Sequence, residues 1–245
     1  MMPIVYSELA PSAPLADFVK CFWILRGQSA DAPPVERILP DGAFELVFHF
    51  GDPFTSNGEP QPAAMLVGQI RRPTLVTPSR RADVLGVRFH IGGAAAFFRE
   101  PAAEFRDRFL PMTGCSAILD ARTTRERVAA VERFLLRRLQ PRDRWTLARD
   151  VAALIAERDG TLRSRELTRV TGRAERTIER AFEECVGMTP KTFSRLMRFH
   201  AFLGDPLQDH GYFDDAHLIH EFQAFAGVSP AQFRRETNAL NDAFF

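Results

Sequence analysis

Hydrophobic and polar positions follow two different periods along this chain. Up to about residue 92 the apolar residues come in short aromatic or β-branched runs: "FVKCFWILRG" (18–27), "FELVFHFGDP" (44–53), "AAMLVGQI" (63–70) and "VLGVRFHIGG" (84–93). Clusters such as Pro40-Asp41-Gly42 and Gly51-Asp52-Pro53 separate them. Runs of this kind predict strands joined by turns, and their spacing predicts an antiparallel barrel or sandwich. Residues 92–98 and 101–109 predict short helices that close this part of the chain. From residue 122 the period becomes helical. In "TTRERVAAVERFLLRRLQ", Val128, Val131, Leu135 and Leu139 recur three or four apart with Arg and Glu opposite, which predicts an amphipathic helix with a seam against its own domain. Pro141-Arg142-Asp143-Arg144 interrupts that pattern as a linker, and Trp145, Val151, Leu154 and Ile155 begin another helix.

Two nearly identical phrases then stand 40 residues apart: "FEECVGMTP" (182–190) and "FQAFAGVSP" (222–230). In each, Gly follows Phe by five positions, and Thr-Pro or Ser-Pro comes next. A Gly after a helix can take the left-handed conformation that closes its C-terminus. Thr or Ser can cap the next helix, with Pro in its first turn. Each phrase spells a sharp corner between two helices, and the repetition predicts a duplicated helical unit. Just before the first corner, "RSRELTRVTGRAERTIERAFEECVG" (163–187) predicts a short helix capped by Ser164, a break at Thr171-Gly172, and a second helix from about Ala174 to Cys185. Two short helices joined by such a turn form a helix-turn-helix, whose second helix enters the DNA major groove. There Arg can bind guanine in bidentate fashion. The same helix also reads as a solvated surface laced by pairs such as Arg176–Glu179.

Charge sharpens the division. Residues 1–120 carry 11 basic and 13 acidic side chains, residues 121–160 carry 10 and 6, and residues 161–200 carry 9 and 5. Residues 201–245 have only Arg234 and Arg235 against 7 acids. Positive potential is therefore concentrated in residues 121–200, and the end of the chain repels polyanions. The 245 residues suffice for two domains. No apolar run reaches the ~18 residues of a membrane span, and the first residues lack a secretory pattern. Cys21, Cys115 and Cys185 are odd in number and widely spaced, which fits a reducing cytoplasm.

The order of these elements resembles the DNA-binding region of AraC/XylS-type transcription regulators. The matching segments are "RTIERAFEECVGMTPKTFSRLMRFHAFL" (176–203) and "GYFDDAHLIHEFQAFAGVSPAQFRRE" (211–236). "LPDGAFELVFHFGDP" (39–53) and "LGVRFHIGGAAAFFREPAAEF" (85–105) resemble a barrel-type sensor domain attached to some of these regulators. The resemblance implies an α+β chain: an N-terminal antiparallel β barrel or sandwich with short helices for sensing and dimerisation (1–120), a helix and linker (121–144), and a C-terminal all-α helix-turn-helix domain (145–245). It implies double-stranded DNA as partner, a small-molecule effector, a homodimer, and neither cofactor nor catalytic activity. DNA contact is expected from Arg173, Glu175, Arg176, Thr177, Glu179 and Arg180 in the first unit, Lys191 and Arg195 on the connecting helix, and His217 and His220 in the second. One departure stands out. Only "DPLQDH" (205–210) separates Gly204 from Gly211, too short for the helix that should brace the second recognition helix, although Asp205 and Pro206 could start one. The second recognition helix, 214–225, has Asp214, Asp215 and Glu221 but no Arg or Lys. The first unit is thus expected to carry most of the DNA affinity. The alternative is a ligand-binding or protein-interaction module whose DNA-binding half has decayed.

Other chemistry is weakly signalled. His49 and His90 lie in expected strands between Phe neighbours, with no second ligand at metal spacing. His210, His217 and His220 lack a third soft ligand. No metal is expected. There is no Gly-x-Ser-x-Gly elbow and no phosphate-cradling Gly loop. Gly92-Gly93 could bind an anion at a helix start but suits a tight turn better. Trp23, Phe48, Phe50 and Phe89 are candidates to line a barrel mouth for a small apolar ligand, and alternation alone does not say which of them face inward.

Overall fold

The computed structural model describes residues 4–31, 33–206, 210–212 and 214–235. Among these residues the strands are β1 (Val5–Leu9), β2 (Val19–Gln28), β3 (Glu36–Ile38), β4 (Glu45–His49), β5 (Thr55–Ser56), β6 (Glu59–Pro60), β7 (Ala64–Val67), β8 (Thr74–Thr77), β9 (Arg81–Phe89) and β10 (Phe109–Pro111). The helices are α1 (Ser116–Leu119), α2 (Thr124–Leu136), α3 (Trp145–Glu157), α4 (Ser164–Thr171), α5 (Glu175–Cys185), α6 (Pro190–Gly204), α7 (Asp215–Ala226) and α8 (Pro230–Phe233). The chain is an antiparallel β-sheet region followed by a helical region, as its two periods predict. The two short helices expected at 92–98 and 101–109 are single 3-10 turns, Gly93–Ala96 and Ala102–Phe105.

The strands form two open sheets and no closed barrel. One sheet runs β1-β2-β9-β4-β7-β10 and the other β3-β8-β5-β6, every pairing antiparallel. Strict alternation gives the larger sheet two distinct faces. Phe22, Ile24, Leu46, Phe48, Leu66, Leu85, Val87 and Phe89 point to one side and join the main core with the helices. Trp23, Leu25, Val47, Met65 and Val84 point to the other and meet Phe54 and Val76 of the smaller sheet. Gly86 is required at the centre of β9 because a Cβ there would sit 1.9 Å from the Trp23 ring.

The main core is continuous from the large sheet into the helices. The Phe18 and Trp145 rings lie 4.5 Å apart across that junction, and Phe18 meets Phe97 edge-on at 5.8 Å. Helix α2 starts with a capping box: Thr123 Oγ1 accepts from the Glu126 backbone, and Glu126 accepts from the Thr123 backbone. Its buried stripe is Arg127, Ala130, Val131, Phe134 and Leu135, so the seam expected from Val131 and Leu135 faces the chain's own core. Arg127 makes an unexpected contribution, pairing with Asp83 at 2.8 Å and lying 3.5 Å over the Phe50 ring.

Candidate nucleic-acid interface and inter-sheet cavity

Helices α4 and α5 form the expected pair. Ser164 is not the cap: Arg163 holds the N-cap position, and its backbone N–H donates to Glu166 Oε2 at 2.9 Å, so the carboxylate at the third position does the capping. Gly172 ends α4 at φ +64 with its N–H on Thr168 O at 3.0 Å, and Ala174 begins α5 in extended conformation. The inward face of α5 is Ile178, Ala181, Phe182 and Cys185, all buried, with the Phe182 ring 5.6 Å from that of Phe193 on α6. The opposite face is in solvent. Arg173, Glu175, Arg176, Thr177, Glu179 and Arg180 are all exposed. Among the described residues neither Arg176 nor Arg180 takes part in an ion pair, so the salt-bridged surface the spacing allowed is not formed. Arg163, Arg165 and Arg169 around α4 are exposed beside it. The sequence pattern assigned them no role, because they lie outside the second helix.

The two repeated corners share a left-handed glycine, a hydroxyl cap and a first-turn proline. Gly187 (φ +84) donates to Phe182 O at 3.0 Å, Thr189 caps α6 by accepting from Thr192 N, and Pro190 is in the first turn. Gly227 (φ +73) donates to Gln223 O at 2.9 Å, Ser229 accepts from Gln232 N, and Pro230 follows. Both corners also dock on the sheet region. Arg106 Nε donates to Gly187 O at 2.7 Å, while Arg37 Nη1 donates to Ala226 O at 3.2 Å and Pro73 packs against Gly227.

The second unit differs in its electrostatics. Helix α7 starts one residue after its expected first residue, Asp214, which serves as the N-cap and accepts from His217 N at 2.7 Å. Among the described residues no helix intervenes between α6 and α7; residues 207–209, on which the start of a short helix at Asp205 would fall, lie outside them. Phe199 of α6 holds α7 through Phe222 and Phe225, with ring centroids at 5.2 and 5.4 Å. Glu221 is buried and grips Arg195 of α6, whose Nη2 donates at 2.7 Å and Nε at 2.9 Å. The pair holds the Glu221 carboxyl below its ordinary range despite burial. Arg195 is thus taken up inside the chain, while Lys191 and His220 are exposed and His217 is half-exposed. With Glu221 turned inward, α7 presents an outward surface less acidic than the residue count implies.

Of the four aromatic residues expected at a barrel mouth, Trp23 lines the inter-sheet cavity and the other three do not. Phe48 and Phe89 face the main core, and Phe50 packs beside it under Arg127; even-spaced positions on β4 and β9 put them on the far side of the sheet. The cavity, of about 90 Å³, lies between the two sheets and is lined chiefly by apolar side chains, with Glu45, Gln61 and Thr74 among the polar ones. Glu45 stands opposite Arg88 in register. Arg88 Nη1 donates to Glu45 Oε1 at 3.2 Å, and its Nη2 bonds Asp41. Burial pushes the Glu45 carboxyl up to about 7, with Arg88 pulling against that rise. One residue before Asp41, Pro40 O accepts from His200 Nε2 of α6 at 2.6 Å. The carbonyl can only accept, so the neutral ring is the Nε2–H tautomer. Contacts therefore run from the cavity wall through Glu45, Arg88 and the 40–41 turn to the helix that joins the two units.

His49, buried, hydrogen-bonds Gln61 at 2.8 Å and stacks edge-on against Phe54; His90 is exposed near the end of β9. Cys21, Cys115 and Cys185 are free thiols, all buried. No helix among the described residues is long and apolar enough to cross a membrane.

A family model described as a domain of unknown function, DUF6597, matches residues 7–111, the sheet region. No curated protein matches the chain. Among solved structures the chain is similar to ToxT from Vibrio cholerae O395, with TM-score 0.44 and 8% identity over 86% of this chain and 95% of that one. It is also similar to the same protein bound to (E)-4-(8-methylnaphthalen-1-yl)but-3-enoic acid, with TM-score 0.45 and 8% identity over 95% and 97%. Unsaturated fatty acid bound wild-type ToxT from Vibrio cholerae strain SCE256 matches with TM-score 0.42 and 8% identity over 95% and 94%.

Proposed function

We propose that this protein is a cytoplasmic, homodimeric DNA-binding transcription regulator of AraC/XylS type, with an effector-responsive N-terminal half and no catalytic activity. The observation that carries this reading is the outward face of α5. Its two arginines, Arg176 and Arg180, are solvent-exposed and free of ion pairs among the described residues, and exposed Arg173 stands in the glycine turn that leads from α4. Free guanidinium groups on the first turns of a second helix are the chemistry that phosphates and guanine edges accept. In this reading α4–α5 supplies most of the affinity, and α7 contributes shape and uncharged contacts. The contacts from Glu45 through Arg88 to His200, together with the docked Gly187 and Gly227 corners, give an occupant of the cavity a physical route to the spacing of the two units.

The test is fluorescence anisotropy of the full chain on DNA from around its own coding region, with a scrambled duplex as control, over a salt series. The expected result is a preference of about 10³-fold or more for the native duplex and a steep loss of affinity with salt. Equal, weak binding to both duplexes would overturn this reading and favour a ligand-binding module with a decayed DNA-binding half.

A further inference from the structure

The polar end of the inter-sheet cavity carries an unbalanced charge. Glu45 lines the cavity, and its side chain is 19% accessible. Asp41 and Glu45 share one guanidinium, that of Arg88, and among the described residues neither carboxylate has a second ion-pair partner. When all three groups are ionised, the set carries one surplus negative charge. The rest of the wall that meets an occupant is largely apolar, including Trp23, Val47, Met65, Val84 and Phe109, and its other polar members, Gln61, Thr74 and Tyr6, are not anionic in ordinary solution.

Resting on the reading of the N-terminal half as effector-binding, we propose that this cavity takes a small apolar molecule bearing a protonated amine, received by the Glu45 carboxylate, and rejects the carboxylate of the same carbon skeleton. An ammonium group placed beside Glu45 balances two anions with two cations where the low-dielectric walls make the attraction strong. An incoming carboxylate would bring a third anion to one guanidinium. With Glu45 ionised, the condition set by working above about pH 7, it could bind only by displacing Asp41 or Glu45 and leaving a buried carboxylate without its partner, which is strongly unfavourable. Size narrows the class. A cavity of about 150 Å³ admits benzene, so the present 90 Å³ fits a short branched alkyl amine better than a long chain. Arg88 is shared between Glu45 and Asp41, and Pro40 beside it holds His200. An ammonium that draws Glu45 toward itself leaves Arg88 more fully with Asp41, tightening the turn on which α6 rests.

The experiment titrates the full chain, without DNA, with isobutylamine, isobutanol and isobutyrate, reading thermal midpoint and tryptophan fluorescence. The expected order is amine, then alcohol at least about tenfold weaker, with no shift from the carboxylate at matched ionic strength. Glu45→Gln should lower amine affinity to that of the alcohol and leave the alcohol within twofold. Isobutyrate binding as tightly as isobutylamine, or Glu45→Gln keeping the amine preference, overturns the proposal. The comparison of the three ligands on the wild-type chain decides the matter even if the variant does not fold. Because no DNA is present, failure here is separate from failure of the regulator reading, which the duplex experiment decides.

Discussion

Arg106 donates through Nε to the carbonyl oxygen of Gly187 at 2.7 Å, tying the 3-10 turn before β10 to the corner that follows α5. The same corner leaves no room for a side chain, since a Cβ on Gly187 would lie 2.9 Å from Ala102 O at a φ of +84. Gly172, in the turn between α4 and α5, has φ +64 but open space around it. Gly172→Ala should therefore cost about 1 kcal/mol, the strain of a left-handed non-glycine residue. Gly187→Ala adds a backbone collision and should cost about 3 kcal/mol. Urea unfolding of the two variants checks this; equal losses would mean that the corner does not press on the sheet region.

Arg142, expected only as part of a linker, is a fastener. It donates to the carbonyl oxygens of Ala95, Phe98, Arg99 and Glu100 and pairs with Glu184 of α5 at 3.2 Å. Together with Arg144, it holds the Glu184 carboxyl below its ordinary range. Lysine has too few donors and no planar fork for this arrangement, so Arg142→Lys should lose about 2 kcal/mol of stability and Arg142→Ala somewhat more. Arg144 is half-exposed, with 49% of its side chain accessible, and Arg144→Ala should lose less than about 1 kcal/mol. Thermal midpoints rank the three; a harmless Arg142→Lys would defeat the assignment.

Salt dependence separates the two helical units. Each neutralised phosphate contributes about −0.9 to the slope of log affinity against log salt. Replacing Arg176 and Arg180 with Ala should flatten that slope by roughly 1–2, if each meets one phosphate. Replacing His217 and His220 should leave it nearly unchanged, because α7 brings no Arg or Lys to a phosphate. Anisotropy titrations at several salt concentrations read this directly, and equal flattening by both pairs would contradict the assignment of affinity to the first unit.

Glu45 gives the chain a pH signature. Its carboxyl rises from the ordinary 4.5 to about 7 in the folded state, chiefly through burial, so the folded chain binds that proton more tightly than the unfolded chain does. The resulting stabilisation is full below the unfolded value and is lost as pH rises from about 4.5 to about 7. Buried His49 and His200 are depressed and give the opposite slope. Comparison of wild type with Glu45→Gln cancels their contribution. That difference should fall by something on the order of 1–3 kcal/mol between about pH 5 and pH 8; parallel stability curves would show that Glu45 ionises normally.

Sequence alone determined what depends on neighbours a few residues apart. A β region ahead of a helical one, the Gly-x-Thr-Pro and Gly-x-Ser-Pro corners and the paired helices α4 and α5 follow from backbone preference and amphipathic spacing, and they appear where the pattern puts them. The sheet nevertheless runs past residue 92, since β10 pairs with β7 where the pattern put the end of a short helix. The missed cap at Arg163 shows the limit even there, because the Glu166 carboxylate satisfies the N–H of the cap residue without any hydroxyl at that position. Strands of the smaller sheet were not legible, since β5 and β6 are two residues each and β3 carries Glu36 and Arg37. Such pieces are stable only once the larger sheet covers them. Tertiary structure alone decided which aromatic residues face the cavity, that Arg195 is occupied by Glu221, and that both repeated corners dock on the sheet region. It also decided that Glu45, Arg88, Asp41 and His200 form one line of contacts. These depend on partners 26 to 189 residues away, and a one-residue step along a strand reverses the face on which a side chain lies. Local spacing has no record of either.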